Sequence, residues 1–258
     1  MVGVVVWRLY EQDQFEYELW EPFVTPIYME ALLRGLWETL QMAFLSIIFA
    51  VGFGLIFGVG KLSDHAWLRW PCWVVVEFFR AVPVLLLMVF IYFTYGVGDG
   101  FGSYWAVVIA LTLYNGSVLA EVFRAGINAV PKGQTEASYA IGMRKNQVMR
   151  LVLIPQSITI MLPAIISQCV IVLKDTALGL IIAYQDLVAE GQRIAEFVNA
   201  SVVPLGLIAV IYIAMNYALS RLAVTLEHRM SRRGRSSAKK VVDQSDPELN
   251  PGGGGSGA

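Results

Sequence analysis

Four stretches of this chain run for more than twenty residues without an Asp, Glu, Lys or Arg: residues 39–60, 100–120, 151–173 and 197–220. At about 1.5 Å of rise per residue, each is long enough to cross roughly 30 Å of hydrocarbon as one helix. A fifth segment, residues 70–95, is interrupted by Glu77 and Arg80, although residues 81–98 carry no charge. Pro71 suits its first turn, where the missing N–H matters least. The chain therefore reads as an all-α membrane protein of about five transmembrane helices, with a long loop before the fourth. Composition agrees: 57% of the residues are apolar without counting glycine and 15% are charged, where soluble proteins carry about 25% charge.

The same inventory removes several function classes. His65 and His228 are the only histidines, and Cys72 and Cys169 sit in apolar runs without CxxC spacing. Histidine-based catalysis, cysteine-bound zinc and a disulfide scaffold have little to work with, and no metal site is expected. With 19 basic and 20 acidic residues, the chain has no basic field for nucleic acid. An intramembrane enzyme lacks a nucleophile with a base close by in sequence.

Charge placement sets the expected orientation. Lys61, Arg69, Arg124, Lys132, Arg144, Lys145, Arg150, Arg221, Arg229, Arg232, Arg233, Arg235, Lys239 and Lys240 fall on one set of loops. Only Arg8, Arg34 and Arg193 fall on the other, beside most of the acidic residues. This predicts an N-terminus outside and a C-terminus in the cytoplasm. Residues 1–29 read as an acidic extracytoplasmic segment or the remnant of an extra helix, and residues 30–230 as the membrane domain. Residues 231–258, which turn polar and end in a glycine run, read as a disordered cytoplasmic tail.

The loop at 129–158 is too long for a mere connection. From Pro131 it reads PKGQTEASYAIGMRKNQVMRLVLIPQ. Small residues at 137, 138 and 140 allow close approach of another helix, Gly142 permits a chain reversal, and Pro155 restarts the next element. The expected shape is a helix, a bend and a second helix. An amphipathic loop lying on anionic lipid is the plainer alternative.

This spacing resembles the cytoplasmic EAA loop, E-A-A-x3-G-x9-I-x-L-P, of ATP-binding cassette importer permeases. Ser138, Val152 and Ile154 are mild departures from it. EFFRAVP at 77–83, YNGSVLAEVFRAGI at 114–127, PKGQ at 131–134 and LKDTALG at 173–179 are similar, in the same order, to motifs of the polar amino-acid group. That group takes histidine, glutamate, glutamine or arginine. QDQFEYELWEPF at 12–23 adds a resemblance to permeases of actinobacterial glutamate importers.

The resemblance implies a type I importer permease bundle in a bacterial cytoplasmic membrane, working by alternating access. Its partners would be a separate ATPase subunit, a second permease, identical or homologous, and an extracytoplasmic amino-acid-binding protein, with membrane lipid around the bundle. Glu136, Ala137, Ser138 and Gly142 would couple it to the ATPase. ATP and Mg would belong to that partner, and no cofactor to this chain: Gly60-Lys61 is followed by Leu62 and lacks the first glycine of a P-loop. The rival reading is an ion-gradient-driven secondary amino-acid transporter, which would usually show inverted repeats that are not visible here.

Charges inside spans need partners. Glu77 with Arg80 and Glu121 with Arg124 are each three apart on a helix and can pair, either as packing locks or as a gate. Lys174 and Asp175 point about 100° apart and must serve different neighbours. By the resemblance, Asp175 would meet a substrate ammonium, with Lys174, Thr176 or Asn115 near its carboxylates. The alternative has Lys174 reaching outward and Asp175 pairing structurally.

Overall fold

A computed structural model describes residues 7, 10, 11, 14 and 16–245, with side chains described as far as residue 225. All regular elements among these are helical. A short helix α1 (Tyr17–Trp20) and a 3-10 turn (Glu21–Phe23) lead into α2 (Pro26–Gly60), α3 (Ala66–Ala81) and α4 (Val84–Ile91). α5 (Gly102–Asn128), α6 (Lys132–Ala140), α7 (Lys145–Gln147), α8 (Ile154–Asp175), α9 (Leu187–Phe197) and α10 (Val202–Ser245) follow.

The first span starts earlier than its charge-free run. Pro26 presets the first turn of α2, and the helix continues for 35 residues through Glu30, Arg34 and Glu38. Glu30 and Arg34 pair at 3.2 Å across one turn, so the charged start continues the helix instead of ending it.

The second expected span is two helices. α3 and α4 meet at a bend of 99° around Val82–Pro83. Proline has no N–H for the helix ladder and its ring forces Val82 into an extended conformation (φ −82°, ψ 127°). Four helices are long and apolar enough to span, and the bent pair makes a fifth if counted as one crossing.

The fourth span also departs in detail. Pro155 lies in the first turn of α8, yet no loop precedes it: a π-helical stretch at Val148–Leu153 joins α7 to α8, and the whole rod runs Lys145–Ile182. A wide π turn is one way for a helix to absorb the missing N–H of a proline. The rod ends in a 3-10 stretch, Thr176–Ile182, closed by Ala183 in the left-handed region (φ 55°).

α10 runs past residue 230. Residues 231–245 continue α10 as helix, since RSSAKKVVDQ offers no proline before Pro247. Residues 246–258 lie outside the described residues, as do most of 1–15.

α2 and α5 pack along each other and carry the centre of the bundle. Gly54 and Gly58 make this possible: an added Cβ at Gly58 would lie 2.7 Å from the Ala120 carbonyl, and one at Gly54 2.8 Å from Leu119 Cβ. The main core gathers Met42, Met88, Val107, Leu111 and Val172 from α2, α4, α5 and α8. A second core, with Phe23, Leu32, Leu187, Ile194 and Ile208, seats α9 on the starts of α2 and α10.

Candidate functional site

α6 is built from small and polar residues and ends as the sequence requires. Gly142 sits at φ 82°, Gly142 N donates to the Tyr139 carbonyl at 2.9 Å and Met143 N to the Ser138 carbonyl at 3.1 Å. This paired closure is a glycine-dependent helix C-terminus. Ser138 is buried beneath the helix, its hydroxyl donating to the Gln134 carbonyl, while Gln156 of α8 donates to the Gln134 side chain at 3.3 Å. Glu136, Ala137 and Gly142 face outward with Tyr139 and Ile141, the latter 78% exposed. α6 is thus held from below and open above.

The same loop is tied to the end of α2. Lys145 pairs with Asp64 and reaches the Leu62 carbonyl at 3.5 Å. The hydrogen bond from Lys145 holds the Asp64 carboxyl below the usual carboxylate range. Both side chains are substantially exposed, so the tie orients more than it stabilises.

The intramembrane pairs converge. Arg80 lies 3.2 Å from Glu77 and Arg124 2.8 Å from Glu121, and Lys61 stands between the two carboxylates. Its ammonium is 3.2 Å from Glu77 and in direct contact with Glu121, and its side chain is 5% exposed. Three cations and two carboxylates from α2, α3 and α5 therefore form one network, beside a cleft of about 500 Å³ that also meets Arg69, Trp70 and Trp73. Counting Lys61 as a loop charge missed this. The available signal was its place at the C-cap of α2, where a cation suits the negative helix end.

The four substrate-pathway candidates are not gathered into one site within the chain. Asn115 is buried and its partners are the Leu111 carbonyl, at 3.1 Å, and Gln168 of α8. Gln168 precedes Asp175 by two helical turns, about 10 Å along the axis. Thr176 is buried and its hydroxyl donates to the Leu173 carbonyl at 2.8 Å. Lys174 is exposed and Asp175 half-buried. Gln168 was not singled out from sequence, since one glutamine in an apolar run has no partner visible there. Among the described residues, no group of three or more His, Cys, Asp or Glu side chains could hold a metal ion.

Residues 50–232 match the model of the family described as binding-protein-dependent transport system inner membrane component. The glutamate transport system permease protein GluD of Corynebacterium glutamicum is 41% identical over 92% of this chain and 89% of its own length. The probable glutamine ABC transporter permease protein GlnP of Bacillus subtilis is 34% identical over 79% of this chain and 97% of its own. Among solved structures, a crystal structure of an amino acid ABC transporter with histidines superposes with a TM-score of 0.73. It is 31% identical, covering 78% of this chain and 95% of that one. An inward-facing MetNI methionine ABC transporter, 21% identical with a TM-score of 0.68 over 80% and 99% of the two chains, shares the fold.

Proposed function

Since this chain belongs to the binding-protein-dependent transport system inner membrane components, we propose that it is the permease subunit of an ATP-driven importer for polar amino acids, with glutamate as substrate. The family makes it a multi-pass protein of the cytoplasmic membrane and places ATP hydrolysis in another subunit. It also sets the secondary-transporter reading aside. Glutamate rests on the 41% identity to a glutamate permease across nearly the whole chain.

The observation that carries the mechanism is α6: a short helix fixed to α8 through Gln134 and Gln156, closed by Gly142, and leaving Glu136, Tyr139 and Ile141 exposed. Such a face suits insertion into a cleft of a cytoplasmic ATPase subunit that holds ATP and Mg. Movement there would reach α8 directly and α2 through Lys145 and Asp64. On this reading the N-terminal start of α2 is outside and the Lys61 network is at the cytoplasmic end. A groove lined by Trp37, Phe44, Leu173 and Leu219 offers an apolar face to lipid or to a second permease.

Asp175 is assigned to the substrate ammonium on the pathway shared with that second permease. Being half-buried, it keeps a face that a neighbouring subunit can complete.

The test is uptake of labelled glutamate in cells lacking this chain and then restored, competed by other polar amino acids and repeated after ATP depletion with ion gradients preserved. ATP-dependent glutamate uptake that follows the chain is the expected result. Loss of a different amino acid would keep the permease and replace the substrate. Glu136→Lys should insert normally while uptake falls at least tenfold, and normal uptake in that variant would remove the coupling role.

A further inference from the structure

At the end of α2 opposite Lys61, a cleft of about 440 Å³ opens between α2, the start of α5 and residues 183–190. Glu38, which lines it, precedes Lys61 by a helical rise of about 35 Å. The Tyr184 hydroxyl donates to Glu38 Oε2 at 2.6 Å, and among the described residues no cation lies within ion-pair distance of this carboxylate. The nearby charges are already committed: Arg34 pairs with Glu30 at 3.2 Å and Glu190 with Arg193 at 2.9 Å. The Tyr104 ring stands 5.8 Å from that of Tyr184, and among the described residues the buried Tyr104 hydroxyl has no hydrogen-bond partner.

These groups have complementary needs. A half-buried carboxylate bonded only to a neutral phenol favours a cation, and two aromatic rings beside it favour an ammonium over a bare metal ion. The Tyr104 hydroxyl and the Gln185 amide are donors suited to a carboxylate. The geometry points to a docking site for a free α-amino acid zwitterion at this mouth, its ammonium on Glu38 between Tyr104 and Tyr184 and its carboxylate toward Tyr104 and Gln185.

The inference rests on the amino-acid importer reading and adds a station to it. The cleft is separate from Asp175 and would hold substrate as it leaves the binding protein, before it enters the bundle. Because the contacts address the α-ammonium and α-carboxylate, side chains would be poorly distinguished here, leaving selection to other steps.

The experiment uses the assembled transporter in lipid nanodiscs without binding protein, with labelled glutamate at equilibrium. It is run in the wild type and in an Asp175→Asn background, so that occupancy deeper in the bundle does not mask the cleft. Glu38→Gln preserves an acceptor for Tyr184 and removes the charge. It should weaken binding at least tenfold in both backgrounds, with Glu38→Asp retaining part of the affinity. In uptake, KM should rise several-fold, more than the maximal rate falls. Tyr104→Phe, which leaves the ring and removes the hydroxyl, should weaken binding by a smaller factor.

Unchanged binding and KM in Glu38→Gln, in a transporter that imports glutamate normally, would overturn the site. So would binding of sodium alone, displaced by potassium but not by amino acids. A wild-type transporter that imports no amino acid would overturn the importer reading first, and the docking site with it.

Discussion

Lys61 and Glu121 are sixty positions apart in sequence and in direct ion-pair contact, joining the end of α2 to the last turns of α5. Each carboxylate in this network is shared between two cations, so loss of Lys61 leaves Glu77 with Arg80 and Glu121 with Arg124. Lys61→Met should therefore cost about 2 kcal/mol, between the small value of exposed pairs and the 3–5 kcal/mol of fully buried ones. The measurement is thermal unfolding of the purified complex. Lys61→Met/Glu121→Gln should recover part of the loss, and an unchanged midpoint in the single variant would show that the contact contributes nothing.

Gly58→Ala should lower expression and stability. Its added methyl would meet the Ala120 carbonyl, a backbone atom that cannot rotate away. About 1–3 kcal/mol is expected for such overpacking. Gly52→Ala is the control, since nothing lies within 4 Å of a Cβ there; equal behaviour of the two variants would refute the close approach of α2 and α5.

Gln168→Leu should destabilise the bundle by about 1–3 kcal/mol, because the buried Asn115 carbonyl loses its donor from α8. Replacing both partners with leucine should cost less than replacing Gln168 alone. A double-mutant cycle in thermal unfolding measures the difference, and strict additivity would count against the pair.

Asp186 should give stability a distinct pH dependence. It is fully buried and caps α9, accepting from Ala189 N at 2.9 Å. Burial pushes its carboxyl up to about 6 from 3.8, against the pull of the cap bonds. The folded chain therefore holds this proton more tightly than the unfolded one. The stability so gained is full below about 3.8 and is lost as pH rises through about 6. Asp186→Asn keeps a capping oxygen without titrating. Relative to wild type it should gain on the order of 2 kcal/mol between pH 4 and pH 7. Thermal midpoints at the two pH values check this, and parallel curves would rule it out.

The parts legible in sequence were those written locally. Charge-free runs located the four uninterrupted spans, and a fixed spacing from Glu136 to Gly142 located α6 and its reversal. The i,i+3 charges of Glu77–Arg80 and Glu121–Arg124 showed which residues pair within a helix. That the two pairs share Lys61 depends on how α2, α3 and α5 come together, which no spacing encodes. The break at Val82–Pro83 was not read from sequence, because the hydrophobicity on both sides of it reads as a single crossing: lipid demands apolar residues whichever way the chain turns. The cleft at Glu38 was hidden for the opposite reason: its residues come from three distant segments, and Glu38 alone looks like an ordinary charge at a membrane border.

The unbroken length of α2 makes it a lever. At 35 residues it spans about 52 Å, with Glu38 about 18 Å from its start and the Lys61 contact at its end. A stiff rod pivoting near its middle by 10° carries its two tips about 4 Å in opposite directions. A small displacement where Asp64 meets Lys145 is thereby returned at Glu38, about 8 Å beyond the pivot, with inverted sign and about a third of the amplitude. One end can widen while the other narrows without any hinge inside the helix.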